Sequence, residues 1–306
     1  MRAAVFDRFG PPEVLEVREL PDPEPGEGQV RVRVRAAGVQ PFDVYARRGE
    51  MPFLSITPPS TIGQEYSGVV DRVGPGVTNV RPGDEVLGST MLNGQASAVV
   101  VPAENVVLKP PRLDFPTAAG LVAAGQTATG ALGELAVAPD DVLLVHGAAG
   151  SVGTVAVQIA RLAGATVIGT ASAGNHAYLR QLGAVPVEYG PELVANVRAT
   201  GLTPTVTLDA AGRGAIEASA ALGIAPERIG TIVDEKAAAE HGARVVRAPR
   251  SPQRLAGVVA LAEEGSLTMP IRAYPLAEVA AAHAAVEFGH GRGKVVVIVE
   301  PRDLAH

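Results

Sequence analysis

Apolar and polar positions alternate strictly along Val30-Arg31-Val32-Arg33-Val34-Arg35, which predicts a β-strand with one apolar and one basic face. Shorter runs at 68–73, 85–87 and 98–101 read as further strands. Turn sequences separate them: Gly74-Pro75-Gly76, Arg81-Pro82-Gly83-Asp84 and Asn93-Gly94. Closely spaced strands of this kind predict a small barrel-like β domain. The pattern changes near Phe115. Residues 117–136 are rich in alanine and leucine and predict a helix, with glycines interrupting it. From Asp141 the pattern switches repeatedly between the two periods. Strands are expected at 142–146, 166–170, 185–188, 205–208 and 229–233, and helices at 151–162, 178–182 and 215–222. Such alternation predicts a parallel, doubly wound sheet. Two more helices, at 255–264 and 276–288, precede a late strand at 294–299. The expected arrangement is a nucleotide-binding domain, residues 116–264, set within a split β domain, residues 1–115 and 265–306. In the alternative, two consecutive domains, the last strand would pair within the doubly wound sheet.

The first doubly wound strand runs into Gly147-Ala148-Ala149-Gly150-Ser151-Val152-Gly153 and then into a helix. Glycines three apart let the backbone approach a phosphate closely and aim the first free N–H groups of the helix at it. Gly147, Ala148, Gly150, Ser151, Val152 and Gly153 are therefore the candidate diphosphate cradle of a dinucleotide, and hydride transfer is the candidate chemistry. No Lys-Ser or Lys-Thr follows, so the turn is not a Walker loop. Ala149-Gly150-Ser151-Val152-Gly153 also resembles a hydrolase nucleophile elbow, with Ser151 as nucleophile and Asp209 and His283 as nominal partners. A long β domain ahead of the elbow is unusual for such a hydrolase. His146, just before the glycines, reads as a spacer whose ring packs near the turn. Asp209, ending a later strand, reads equally as a cleft residue and as a helix cap.

Composition narrows the picture. The 306-residue chain carries a net charge of −6 and no long basic run, which argues against a nucleic-acid partner. No apolar stretch is long enough to span a membrane, and an acid at Asp7 is too early for a signal peptide, so a cytoplasmic location is expected. There is no cysteine, which removes disulfides, thiolate nucleophiles and cysteine-ligated metals. The histidines, at 146, 176, 241, 283, 290 and 306, show no metal-ligand spacing.

Several ordered segments resemble the zinc-independent quinone oxidoreductase branch of the medium-chain dehydrogenase/reductase superfamily. They are residues 37–49 (Ala-Gly-Val-Gln-Pro-Phe-Asp-Val-Tyr-Ala-Arg-Arg-Gly), residues 63–69 (Gly-Gln-Glu-Tyr-Ser-Gly-Val), residues 80–86, residues 124–128 and residues 291–296. The resemblance implies a GroES-like β-barrel catalytic domain joined to a Rossmann domain, with the nicotinamide between them, and a homodimer. The zinc-dependent relatives place histidine where Gln64 stands; a neutral amide is a poor zinc ligand, so no metal site is expected. Without a Lewis acid the implied reaction is reduction of an activated acceptor, a quinone or an α,β-unsaturated carbonyl, whose conjugation spreads the developing charge. Tyr45 stands where related reductases carry a tyrosine facing the nicotinamide, and a phenol is an acid rather than a base at neutral pH. By the same resemblance Gln40 and Thr127 hydrogen-bond the nicotinamide half, and Tyr189 contacts a 2′-phosphate. The tyrosine that mitochondrial-type enoyl reductases carry just after Gly49 is missing, and Met51 stands about there.

Cofactor choice is read after the second doubly wound strand, where an acid would bind the ribose hydroxyls of NAD. Here Ser172, Asn175 and His176 supply a hydroxyl, an amide and an imidazole, and no acid is present. NADPH is the expected cofactor. Two alternatives stand beside a quinone or enone reductase: a trans-acting enoyl reductase of lipid or polyketide metabolism, and a non-enzymatic NADPH-binding sensor.

Overall fold

The computed structural model describes residues 1–289 and 291–299. It divides into two compact units. One comprises residues 1–123, 251–265 and the described part of 269–306; the other comprises residues 124–250 and 266–268. The segment 251–264, expected in the nucleotide-binding domain, thus belongs to the first unit. His290, His306 and the remaining end of the expected split domain, 300–306, lie outside the described residues.

The first unit lays down β1 (Arg2–Phe6), β2 (Leu15–Glu19), β3 (Gln29–Val39) and helix α1 (Pro41–Arg48). It continues with β4 (Ser60–Thr61), β5 (Glu65–Val73), β6 (Glu85–Ser89), β7 (Ala98–Pro102) and β8 (Val106–Leu108). Helix α2 (Phe115–Glu134) leads from it into the second unit. There the order is β9 (Val142–His146), α3 (Ser151–Leu162), β10 (Thr166–Thr170), α4 (His176–Gln181), β11 (Val185–Val187) and α5 (Leu193–Ala199). Next come β12 (Val206–Asp209), α6 (Ala215–Ala221), β13 (Ile229–Thr231), α7 (Glu235–His241) and β14 (Arg244–Val245). The chain returns to the first unit with α8 (Pro252–Glu263), β15 (Ile271–Pro275), α9 (Val279–Glu287) and β16 (Lys294–Ile298).

In the first unit the sheet order is β15-β16-β3-β5-β6-β8, with β7 also paired to β3, while β2-β1-β4 forms a small sheet beside it. The late strand β16 runs antiparallel to β3, with Val295 opposite Val39. It therefore closes the split β domain and leaves the doubly wound sheet alone. Val30, Val32 and Val34 of β3 are buried in the core with Val99 and Val101 of β7, as strict alternation requires. The opposite face of β3 is not a bare basic surface. Arg31 is only 2% exposed. Its guanidinium donates to both carboxylate oxygens of Asp71, at 2.9 Å and 2.8 Å, and to Glu24 at 3.0 Å. Arg33 donates to Asp71 and Asp22. Pairing of this kind is what makes a buried guanidinium tolerable.

The second unit's sheet has the order β11-β10-β9-β12-β13-β14, all parallel. Counted from β9 this is the 3-2-1-4-5-6 order of a doubly wound nucleotide-binding sheet, whose ligands lie beyond the carboxyl ends of the strands where the order reverses. That point is the end of β9, between β10 and β12. Leu144, Ile168 and Ile229 on the strands pack with Leu193, Val197 and Ile216 on the helices to form the core. No helix among the described residues is long and apolar enough to cross a membrane.

Candidate active site

The turn after β9 is built almost entirely from backbone. Gly147 sits at φ +72°, and an added Cβ there would lie 3.0 Å from the Ala210 carbonyl oxygen. The Ala148 N–H donates to the Thr170 carbonyl at 3.0 Å, and the Gly150 N–H donates to the Gly147 carbonyl at 3.0 Å. The first bond inside α3 runs from the Thr154 N–H to the Gly150 carbonyl, 2.8 Å. The N–H groups of Ser151, Val152 and Gly153 precede it, and the Gly150 N-cap supplies no side-chain acceptor. Gly153 is required for a second reason. A Cβ at that position would lie 2.3 Å from the Gly147 oxygen and 2.6 Å from the Ala148 Cα. The arrangement fits a dinucleotide diphosphate: an uncapped helix N terminus of twelve residues, approached without side chains in the way.

Behind this turn His146 is buried, and its Nε2 lies 3.1 Å from the Ser219 hydroxyl. That hydroxyl already donates to the Ala215 carbonyl, so the His146 Nε2–H is the donor between them. Burial pushes the His146 pKa down to about 4, against the opposing pull of the Asp209 charge. Asp209, also fully buried, accepts from the Ala211 and Gly212 N–H groups at 2.8 Å each and from the Thr231 hydroxyl at 2.7 Å. Its carboxylate shapes the loop after β12 and does not cap the next helix, α6, whose N-cap Gly214 receives no side-chain bond. This also removes the hydrolase reading, because Asp209 is committed to its own loop and His283 bonds Gln95.

Ser172, Asn175 and His176 share the loop after β10. Asn175 Nδ2 donates to Ser172 Oγ at 3.4 Å, and the His176 ring donates through Nε2 to the Ala171 carbonyl at 3.3 Å. Tyr189 follows β11 and is 47% exposed. Thr127 is half-buried on α2. These residues belong to the second unit, and Gln40 and Tyr45 to the first.

In the first unit α1 begins at a reciprocal capping box. The Gln40 N–H donates to Asp43 Oδ2 at 3.0 Å, and the Gln40 side chain receives the Asp43 N–H. Pro41 occupies the first helical position, and Gly49 ends the helix at φ +75°. Asp43 and Arg47 are fully buried, while Tyr45 on another face of α1 is 48% exposed. Gln40 Nε2 donates to Gln64 Oε1 at 2.7 Å, and Gln64 Nε2 points at Met91 Sδ, 3.6 Å away. Glu65, next in sequence, is consumed by a buried ion pair with Lys294 and by the Ala123 N–H at 2.7 Å. These donors do not fit a zinc ion. The carboxylate is neutralised by a lysine, its neighbour is an amide, and among the described residues no three His, Asp or Glu side chains stand together as a metal site.

Sequence reasoning missed Gln95 and His283 as members of this region. Gln95 lies in a loop and His283 on α9, far apart in the chain, yet the His283 Nε2 meets Gln95 Oε1 at 2.9 Å. Burial, and secondarily the Arg47 charge, push the His283 pKa down to about 3. It missed helix α1 as well, although the capping box, Pro41 and Gly49 were readable as helix punctuation.

Residues 26–146 match the alcohol dehydrogenase GroES-like domain family, and residues 187–297 match the zinc-binding dehydrogenase family. The structure of the quinone oxidoreductase from Coxiella burnetii superposes with a TM-score of 0.88 at 32% identity, covering 98% of this chain and 99% of that one. That of the Escherichia coli quinone oxidoreductase complexed with NADPH gives 0.85 at 26% identity, over 97% and 100% of the two chains. Among curated proteins, the pikromycin polyketide synthase component PikAII of Streptomyces venezuelae is 36% identical over 289 residues, 86% of this chain and 8% of that protein. The quinone oxidoreductase of Salmonella typhimurium is 35% identical over 174 residues, 56% of this chain and 53% of that protein. The matched part thus spans about half the length of the Salmonella relative. Together the fold and the glycine cradle define an oxidoreductase with a GroES-like domain and a Rossmann-like sheet. The chain belongs to the medium-chain dehydrogenase/reductase superfamily, in its quinone oxidoreductase branch.

Proposed function

We propose that this chain is an NADPH-dependent reductase that delivers hydride to a quinone or an α,β-unsaturated carbonyl without zinc. The observation that carries the reading is the uncapped N terminus of α3 above Gly147, together with a loop after β10 that holds Ser172, Asn175 and His176 and no carboxylate. A reduced nicotinamide dinucleotide bound there would supply the hydride. The Ser151, Val152 and Gly153 N–H groups hold its diphosphate. Ser172, Asn175, His176 and Tyr189 hold the adenosine 2′-phosphate, which an acid in this loop would repel. Gln40 and Thr127 hold the nicotinamide half. Tyr45, exposed on α1, gives a proton to the acceptor oxygen. The amide at Gln64 and the neutralised Glu65 leave the reaction no metal to lean on.

The test is steady-state NADPH oxidation against 9,10-phenanthrenequinone, 1,4-benzoquinone and cyclohex-2-enone, with and without EDTA, on protein assayed for zinc by mass spectrometry. Turnover on at least one acceptor by zinc-free protein, unchanged by EDTA, is the expected result. In Tyr45→Phe, kcat falls about 10- to 100-fold while NADPH affinity holds. No NADPH binding, or activity that tracks zinc content, overturns the reading. The match to a polyketide synthase component along 86% of the chain favours a second reading, an enoyl reductase acting on acyl thioesters. Adding crotonyl-pantetheine to the acceptor panel separates the two.

A further inference from the structure

Three neighbouring strands of the second unit end level with one another. Asp209, the last residue of β12, stands opposite His146 at the end of β9 and opposite Thr231 at the end of β13. Asp209 and Thr231 are fully buried, and their side-chain oxygens gather the backbone of both loops that follow. Asp209 Oδ1 accepts the Ala211 and Gly212 N–H groups, and Thr231 Oγ1 accepts those of Val233 and Asp234 at 3.1 Å and 3.0 Å. With two N–H groups already on its oxygen, the Thr231 hydroxyl has its hydrogen left to give, and Asp209 Oδ2 takes it at 2.7 Å. Two residues thus clasp two loops. Those loops lie in order beside the glycine turn. The Ala210 carbonyl oxygen and the Ala211 Cβ are 3.0 Å and 3.3 Å from where a Gly147 Cβ would stand, and a Cβ on Gly212 would meet Val233 Cγ2 at 3.7 Å. They face solvent at Ala211 and at Val233, which is 52% exposed.

We propose that Asp209 and Thr231 are positioning residues for the nicotinamide half of the cofactor, holding loops 210–212 and 232–234 as the surface on which that half lies. The proposal rests on the dinucleotide reading above and follows from the strand order, which runs β10-β9-β12-β13 through the middle of the sheet. On that reading the adenosine end lies over the loop after β10 and the diphosphate at the end of β9. A dinucleotide laid across that point has its other half over β12 and β13, where the clasped loops are. Asp209 and Thr231 are buried and act through the loop backbone rather than by touching the cofactor. What they supply is a surface fixed in advance. A loop that becomes ordered only at binding costs conformational entropy, and loops whose N–H groups are already tied down cost less.

Thr231→Val tests this, because it nearly keeps the shape of the side chain and strands the Val233 and Asp234 N–H groups. The two ligands to compare by calorimetric titration are NADPH and adenosine 2′,5′-bisphosphate, which carries the adenosine end alone. NADPH affinity should fall about tenfold, while that of the bisphosphate stays within about twofold of wild type. Thr231→Ser keeps the hydroxyl and should restore NADPH affinity. A purely structural role would weaken both ligands together or lower the binding-competent fraction, without separating them. Should Thr231→Val fail to fold, a second measurement needs only the wild type: amide hydrogen exchange over 210–212 and 232–234 should slow when NADPH is added and stay unchanged with the bisphosphate. Wild-type protein that binds no NADPH overturns the dinucleotide reading and this inference with it. Wild type that binds NADPH, with both affinities lowered equally or neither lowered in Thr231→Val, overturns this inference alone. So does loop exchange that the bisphosphate slows as much as NADPH does.

Discussion

The two candidate functional regions, one in each unit, are made of different material. In the second unit the cradle after β9 is backbone: Gly147 in the left-handed region, Gly153 packed against the turn, and three N–H groups ahead of the first helical bond. In the first unit the network from His283 to Gln64 is mostly side chain, joined through the Gln40 backbone N–H at Asp43. A backbone site tolerates many side chains at its non-glycine positions, because the ligand meets N–H groups that every residue but proline carries. A side-chain network tolerates few, because replacing one member leaves its buried partner unsatisfied. The difference teaches that the two regions are exposed to mutation in opposite ways: by added bulk in one, by altered polarity in the other.

Adding bulk to the backbone region should give the largest effect. In Gly153→Val the new side chain begins 2.3 Å from the Gly147 oxygen, so α3 must move off the turn. We expect NADPH affinity to fall more than about 100-fold, given that each 1.4 kcal/mol is a factor of ten and the variant loses several N–H contacts at once. Fluorescence titration checks it. Retained affinity would mean that the cradle is not where the cofactor binds.

Legibility in the sequence followed the same division. The bounds of β9, α3 and β10 were readable, because a short apolar run, three glycines and a helical stripe are local signals. The network was not. Gln40 meets Gln64, Gln95 meets Asp43 and Gln95 meets His283 across 24, 52 and 188 residues of chain, and no periodicity reports such meetings. Gln64 was readable as a poor zinc ligand but not as the hydrogen-bond partner of Gln40, since folding alone brings the two together. Arg31 misled for a related reason. Alternation places it opposite the core, but the carboxylate of Asp71 that buries it lies 40 residues away.

Acid should strain both regions through their histidines. His146 behind the cradle and His283 in the network are held neutral by burial, with pKa values of about 4 and about 3. In the unfolded chain both titrate near ~6.5. Their contribution to stability is therefore intact above that value and is lost as pH falls toward the folded-state values, because the unfolded chain takes up protons that the folded one refuses. Between pH 7 and pH 5 the loss should be about 2 kcal/mol per histidine, read from urea unfolding at the two pH values. His146→Gln and His283→Gln should each remove about half of that dependence. A pH-independent midpoint in the wild type would show that neither ring is held neutral.

The smallest effect concerns the choice between cofactors, and it compares the cradle with its own neighbouring loop. The diphosphate is common to NADH and NADPH, so the α3 N terminus cannot separate them. On the reading proposed above the discrimination comes from Ser172, Asn175 and His176, whose side chains are half-buried and include long contacts, Asn175 to Ser172 at 3.4 Å and His176 to the Ala171 carbonyl at 3.3 Å. Neutral side chains of this kind, with no arginine or lysine among them, should discriminate modestly. Ser172→Asp places a carboxylate where the 2′-phosphate is expected, so repulsion should lower NADPH affinity about tenfold, while a ribose hydroxyl gains an acceptor and NADH affinity rises a few-fold. Titrating both nucleotides into both proteins reads this as a ratio, which cancels any shared damage to the cradle. A ratio unmoved by the substitution would place the adenosine end away from this loop while leaving the glycine turn in its role.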